Sequence, residues 1–232
     1  MTRRVARRVV LSFIALLLGL GIGLVVLGFT PALAAACPAC FGFTKVAEGL
    51  YSETDDPMVT PELVRRLEVA EARVEAAFGE VHRPRILVCY TDTCHRMMGD
   101  IEPLAMTYGS LLFYLSPHGH GTDIIAHELV HSTLHKKLGA KLQADFPVWL
   151  DEGIAVYVSQ DSRFDTNAHS CKAGGDTLPV TGAEWLESNS QQDFSAYGRA
   201  GCRVAQWLEA HPEGSPDGGL DGLIRAYLPA QD

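Results

Sequence analysis

The chain has 232 residues, of which 47% are hydrophobic and 20% are charged. This length and composition suit one globular domain and exclude a mainly disordered chain. All 28 acidic residues but only 15 of the 19 basic residues lie after position 30, so that part of the chain carries a formal charge of −13. A surface this acidic repels the phosphate backbone, and no nucleic-acid partner is expected.

The N-terminal segment predicts a link to a membrane. Residues 1–8 contain four arginines and precede an uncharged apolar run from Val9 to Phe29. A helix of this length covers roughly 30 Å, the thickness of the hydrocarbon core, which favours a transmembrane helix over residues 9–30. The small residues that follow Pro31 leave a cleaved signal peptide as the alternative. In both cases residues 1–8 should stay cytoplasmic, and the remaining chain is expected outside the cytoplasm.

Six cysteines fit that location, because disulfides persist in oxidising compartments. Sequence proximity suggests that Cys37 pairs with Cys40 and Cys89 with Cys94, which leaves Cys171 for Cys202. The Cys-Pro-Ala-Cys stretch at residues 37–40 has an alternative interpretation as a redox motif. No strand is predicted before it to build a thioredoxin-like unit.

The part of the chain after the apolar run divides in two. Residues 31–59 show no sustained hydrophobic periodicity and are predicted to be a linker and entry segment. Residues 60–232 are predicted to form the folded domain. In that domain a helix capped by Thr60 should begin at Pro61 and end at Gly79, because its apolar residues recur at steps of three and four.

A small antiparallel sheet is predicted next. Arg85 to Tyr90 has the branched and aromatic residues of a buried strand, and a short helical turn should follow over Asp92 to Met98. Ala105 to Tyr108 and Leu111 to Ser116 flank Gly109 and Ser110, a two-residue loop with glycine first that suits a tight hairpin.

The next predicted helix, from Thr122 to the stop signal at Gly139, contains the sequence HELVH. His127 and His131 are four residues apart, so they point to the same side of the helix and can bind one ion, with Glu128 beside it. Apolar residues on both flanks predict burial between two layers, where these polar groups need partners that a metal supplies. The alternative is a pair of histidines at the edge of a packed helix, each satisfied by hydrogen bonds.

A third metal ligand is expected because zinc in hydrolases takes three protein ligands and leaves one position for water. A second helix should begin at Pro147, and its sequence WLDEG can bring Glu152 to the level of the two histidines. Asp151 is the alternative ligand. His135, one turn beyond His131, is expected to be solvated or to lie outside the ligand set.

HELVH followed by the glutamate of WLDEGIAVY resembles the gluzincin metalloproteases, especially their peptidase MA-like branch. The likeness covers roughly Ala105 to Glu209. It implies that His127, His131 and Glu152 bind one zinc ion and that Glu128 is the catalytic base.

The same resemblance extends to two further features. Tyr197 begins a third helix, predicted from about Ala196 to Ala210, in a setting similar to the tyrosine with which zinc aminopeptidases stabilise the tetrahedral intermediate. The strand LLFYL resembles the edge strand on which such proteases bind an extended peptide.

The sequence therefore predicts an α+β domain in which a small antiparallel sheet packs on the HExxH helix and a helical lobe carries the third ligand. The predicted function is that of an extracytoplasmic zinc peptidase acting on peptides or proteins, anchored in the membrane or secreted if the N-terminal segment is cleaved. The alternative is an inactive, zinc-stabilised module that binds a protein or a peptide in the same cleft.

Overall fold

The computed structural model describes residues 10–13, 19, 30–99, 104–139, 145–172, 177–189 and 194–228. Within these ranges the chain has an α+β fold built around one five-stranded sheet. The elements in chain order are α1 (Thr30–Ala36), a short 3-10 helix (Pro38–Phe41), β1 (Thr44–Ala47), β2 (Leu50–Ser52), α2 (Thr60–Phe78), β3 (Arg85–Val88), α3 (Asp92–Met97), β4 (Ala105–Tyr108), β5 (Leu112–Leu115), α4 (Thr122–Leu138), α5 (Val148–Ser159), α6 (Gly182–Asn189), α7 (Ser195–Ala210) and α8 (Gly219–Tyr227).

The predicted membrane span from Val9 to Phe29 lies almost wholly outside the described residues, since only 10–13 and 19 of it are included. Among the residues that are described, no helix has both the length and the apolar character needed to cross a membrane. The anchor or signal peptide therefore stays a prediction.

The sheet is mixed, so the prediction of a purely antiparallel sheet is wrong. Its strand order is β1-β2-β3-β5-β4, with antiparallel pairs at the two edges and parallel pairs between β2 and β3 and between β3 and β5. Parallel neighbours require a crossover, and α2 supplies one between β2 and β3. The first two strands come from residues 31–59, which are folded rather than a linker.

The hairpin around Gly109 has the predicted antiparallel pairing, and Gly109 has φ 60° in the turn. Its second strand β5 lies between β3 and β4, so most of the sequence LLFYL forms an interior strand. At this end of the sheet, β4 is the edge strand. The continuous apolar run of β5 explains its interior position, because all four of its residues are buried.

Two apolar clusters lie on the two faces of the sheet. Ile86 and Phe113 face the main cluster, which contains the large helices. Leu87 and Tyr114, one step along the same strands, face a second cluster formed with α1 and Phe43. The alternation of side chains along a strand thus makes the central strands apolar on both faces.

Helix α4 lies inside the main cluster, as predicted. Its eleven residues from Ile124 to Leu134 are all buried, and the helix packs against α2, α5 and β4. It ends at Gly139, which has φ 56°. Helix α2 also ends at the predicted glycine, but its N-cap is Val59, and the Thr60 hydroxyl bonds to the carbonyl of Asp56 instead.

The helical lobe follows α4. Helices α5 and α7 lie close to their predicted bounds, whereas the shorter α6 and α8 were not predicted. All three predicted disulfides are confirmed: Cys37–Cys40, Cys89–Cys94 and Cys171–Cys202. The third joins the loop after α5 to α7, and by closing the longest loop of the three it restricts the unfolded chain most.

Candidate metal centre

The two histidines of α4 lie side by side in the buried part of the helix. Their ring centroids are 4.8 Å apart, and the residues are 6% and 8% exposed. One helical turn separates them, which explains why both rings point toward α5. The prediction that His127 and His131 share one side of a buried helix is confirmed.

The Glu152 carboxylate lies against both rings. Its Oε2 atom is 3.2 Å from Nε2 of His127 and 3.4 Å from Nε2 of His131. Helix α5 begins after Pro147, and this places Glu152 in its second turn, at the level of the two histidines. Two helices that are separated along the chain by residues 139–147 therefore bring the three side chains together.

These three residues could hold a metal ion. Their ligand atoms all lie within 4.8 Å of one another. Around a tetrahedral zinc ion, ligands at about 2.0–2.1 Å lie about 3.3 Å from each other, which is close to the two observed nitrogen–oxygen separations. Two imidazoles and one carboxylate are also a donor set that zinc takes in hydrolases. Geometry and chemistry both fit.

Asp151 occupies a different position from Glu152. Its Oδ1 atom lies 3.0 Å from Nδ1 of His131, on the side of the ring away from Glu152. Its other oxygen is 3.5 Å from Nε2 of His135. A carboxylate on the far nitrogen of a metal-binding histidine fixes the orientation and tautomer of the ring. His135 thus lies outside the three-residue group, as expected, and contacts it through Asp151.

The ionisable side chains of the group shift one another's pKa values. Burial lowers the pKa of His131, but the carboxylates of Asp151 and Glu152 raise it by more, so the net pKa is well above its ordinary value. Burial raises the pKa of Glu152, but the imidazoles of His131 and His127 lower it by more. The net pKa of Glu152 falls to about 2. His131 therefore favours its protonated form beside two carboxylates that favour their ionised form, and the group keeps the net negative charge that a cation would need.

His127 differs from His131 in its far nitrogen. Its Nδ1 atom is buried and has no hydrogen-bond partner among the described residues. The contact with Glu152 at Nε2 is the polar contact that orients this ring. A buried ring nitrogen costs free energy when it is unpaired, so among the two candidate histidine ligands the position of His127 depends more on what binds at its Nε2 atom.

Glu128 points to β4 rather than to α5. The Thr107 hydroxyl donates a 2.5 Å hydrogen bond to Oε2 of Glu128. Glu128 is only 7% exposed, so one carboxylate oxygen is fixed and the other is left for a further partner. Thr107 was not identified from the sequence; the only signal was a hydroxyl within a short, otherwise largely apolar strand.

Tyr197 lies beside His127, with 6.3 Å between the ring centroids. Its ring stacks on Phe164 at 5.8 Å and meets Trp185 edge-on at 4.8 Å. The indole N–H of Trp185 donates to the Tyr197 hydroxyl at 3.4 Å. Burial raises the pKa of Tyr197 and the charge of Glu152 raises it further, so the hydroxyl stays protonated. The structure thus places Tyr197 beside the candidate metal-binding group, while its catalytic role stays a prediction.

Close packing between α5 and α7 fixes the position of Glu152. Gly153 faces α7 so closely that an added Cβ would lie 2.7 Å from the carbonyl oxygen of Ala200 and 3.0 Å from a methyl group of Val204. Glycine after Glu152 is therefore a packing requirement, because any side chain would push the two helices apart.

We expect Gly153→Ala to lower the free energy of unfolding by about 1–3 kcal/mol, the usual cost of overpacking a core, and to weaken metal binding by moving Glu152. Chemical denaturation and metal titration measure the two effects. Gly182→Ala is the matched control, since an added Cβ at Gly182 meets nothing within 4 Å. Equal stability of the two variants would contradict this account.

One other described group has a metal-like arrangement, formed by Glu53, Cys89 and Cys94. The two cysteines are joined in a disulfide, which removes the thiolates that a metal needs. The Glu53 carboxylate instead accepts the backbone N–H groups of Tyr90 and Thr91. This group therefore has a structural role, because it holds the segment after β3 in place.

Comparison with protein-family models, with curated proteins and with solved structures finds no match to this chain. The site is therefore interpreted from its own residues.

Proposed function

We propose that this protein is a zinc-dependent peptidase of the gluzincin type that acts outside the cytoplasm. The observation that carries the proposal is the meeting of His127, His131 and Glu152 at zinc-like separations, with Glu128 one residue from a ligand. A purely structural zinc site has four protein ligands and needs no base. The disulfides and the N-terminal apolar run support the extracytoplasmic location.

Glu128 is positioned to act as a general base, because it lies next to a candidate ligand in the chain and only its Oε2 atom is held by Thr107. A zinc ion bound to the three ligands would lower the pKa of its water and polarise a carbonyl oxygen. Glu128 then accepts the proton of the attacking water and passes it to the nitrogen of the leaving amine. The Thr107 hydrogen bond holds Oε2, so Oε1 carries the proton.

Tyr197 and β4 complete the proposed site. The protonated Tyr197 hydroxyl is a hydrogen-bond donor suited to the oxyanion that forms when water attacks a peptide carbonyl. Thr107 lies on β4, the edge strand of the sheet, so an extended peptide can pair with this strand next to Glu128. This replaces β5 as the strand on which substrate binding is expected.

Metal removal tests the proposal directly. The purified full-length protein should contain one zinc ion per chain and cleave members of a mixed peptide library. A chelator should abolish cleavage, and added zinc should restore it, because the three ligands are preformed in the fold. Full zinc content without any peptide cleavage would contradict the peptidase proposal and support the inactive binding module.

Thr107→Val should lower kcat by about 10- to 100-fold with little change in KM or in zinc content. The substitution removes a hydrogen bond to a charged group, worth about 1.5–3 kcal/mol, while keeping the volume of the side chain. Thr107→Ser keeps the hydroxyl and should restore most of the activity. Unchanged kinetics in Thr107→Val, measured on one cleaved library peptide, would remove Thr107 from the mechanism.

A further inference from the structure

The three disulfides differ in how far they are open to solvent. Cys89, Cys94 and Cys202 are 0%, 3% and 0% exposed, so a reagent cannot reach these sulfurs in the folded chain without a local opening. Cys171, the partner of Cys202, is half-buried. In the Cys-Pro-Ala-Cys turn, by contrast, Cys40 is exposed and Cys37 is half-buried. Thiol–disulfide exchange depends on access to the attacked sulfur, and Cys40 is the one exposed cysteine of the six, so this disulfide is the best placed to react.

The turn that carries Cys37 and Cys40 is held by contacts that do not depend on the disulfide. The N–H of Cys37 donates to the carbonyl of Leu33 at 3.1 Å, and the N–H of Cys40 donates to the carbonyl of Cys37 at 3.0 Å. The Phe43 N–H closes the turn on the carbonyl of Pro38 at 3.0 Å. These bonds keep the two cysteines neighbours even when the sulfurs are not joined.

Apolar packing anchors the same segment at both ends. Ala34 and Ala35 before the turn are 0% and 7% exposed, and Phe43 after it is 3% exposed. All three belong to the cluster on the face of the sheet opposite the metal centre. A disulfide between cysteines only three residues apart also restricts the unfolded chain less than one that closes a long loop. Breaking it should therefore leave the fold intact.

Open space lies beside the turn. A groove of about 950 Å³ runs from Ala35 and Ala36, directly before Cys37, past Lys45 to the exposed Leu111. Its lining reaches Ala36, the residue before Cys37, so the described part of the chain does not fill the space next to the turn.

We propose that Cys37–Cys40 is a thiol–disulfide exchange site that accepts electrons from a dithiol partner. A thiolate of the partner attacks Sγ of Cys40, a mixed disulfide forms, and Cys37 leaves as a thiolate. The second thiolate of the partner then attacks the partner's first sulfur in the mixed disulfide, and Cys40 leaves as a thiolate. The partner ends as a disulfide, and Cys37 and Cys40 take up two protons as thiols. This activity is separate from the metal centre and does not depend on the proposed peptidase function.

The test is a redox titration of the folded, full-length protein with mixtures of reduced and oxidised glutathione. Free thiols are trapped by alkylation and assigned by mass spectrometry of peptides. We expect Cys37 and Cys40 to become labelled together at a glutathione concentration at least ten times lower than the other four cysteines require, and to reoxidise when the mixture is reversed. Equal resistance of all three disulfides overturns the proposal.

Two sets of variants separate an exchange site from a structural link. Cys37→Ser with Cys40→Ser should stay folded, with a smaller fall in Tm than Cys171→Ser with Cys202→Ser produces. The single variant Cys37→Ser should form a mixed disulfide with oxidised glutathione about ten times faster than Cys40→Ser, because it leaves the exposed sulfur free. An equal or larger fall in Tm for the first pair, or equal rates for the two single variants, also overturns the proposal.

Discussion

Replacing Glu128 by Gln is expected to lower peptide turnover by about 10²- to 10⁴-fold, the range that a general base contributes. The amide has the same size as the carboxylate and can still accept the Thr107 hydrogen bond, so the fold and the position of the side chain should persist. Zinc content should not change, because Glu128 is outside the ligand group. Turnover is measured on a peptide cleaved by the wild-type protein, and zinc by elemental analysis of the same samples.

Glu75→Gln provides the matched control for this experiment. Glu75 is an exposed glutamate on α2, so the same chemical change there should leave both activity and zinc content as in the wild type. Activity in Glu128→Gln equal to that of the control would remove Glu128 as the base. A loss of zinc in Glu128→Gln would instead mean that this carboxylate supports the metal.

The second large effect is expected at Glu152. Glu152→Gln replaces a charged carboxylate, whose Oε2 atom lies 3.2 and 3.4 Å from the two histidine Nε2 atoms, with a neutral amide. The change should abolish stoichiometric zinc binding and turnover together. Asp151→Asn alters the neighbouring carboxylate, which contacts Nδ1 of His131. Because it acts through the histidine, this change should weaken zinc binding by only about 10- to 100-fold.

The two variants make a matched pair, since each converts one of two adjacent carboxylates to its amide. Zinc affinity is measured by competition with a chromophoric chelator, and fold by circular dichroism. If Asp151→Asn lost more affinity than Glu152→Gln, the two carboxylates would have to exchange roles.

Much of the candidate site could be predicted from local sequence. The spacing of His127 and His131 is a property of any α-helix, so their shared direction follows from the periodicity alone. The continuous apolar surroundings of these residues predict that the helix is buried, and all residues from Ile124 to Leu134 are. Disulfide pairing followed from proximity in the chain, because short loops close readily.

The sheet shows where local pattern is insufficient. Whether β3 pairs with a parallel or an antiparallel neighbour depends on crossovers such as α2, not on the residues of the strand. The apolar run of β5 is compatible with an interior position, but its sequence does not identify the second neighbouring strand. Strand β5 lies in the interior because β3, distant in the chain, pairs with its other side. Residues 31–59 likewise form strands because β2 pairs with the edge of β3 and β1 then pairs with β2.

The sequence by itself determined the helix that carries HELVH, the shared direction of His127 and His131 and the two short-range cysteine pairs, because each depends on residues close together along the chain. Tertiary structure alone decided that Glu152 faces both Nε2 atoms while Asp151 faces Nδ1 of His131, and that Thr107 holds Glu128. Those contacts depend on how α5 and β4 are placed against α4. That placement is set by packing, such as the close approach at Gly153, which no local pattern encodes.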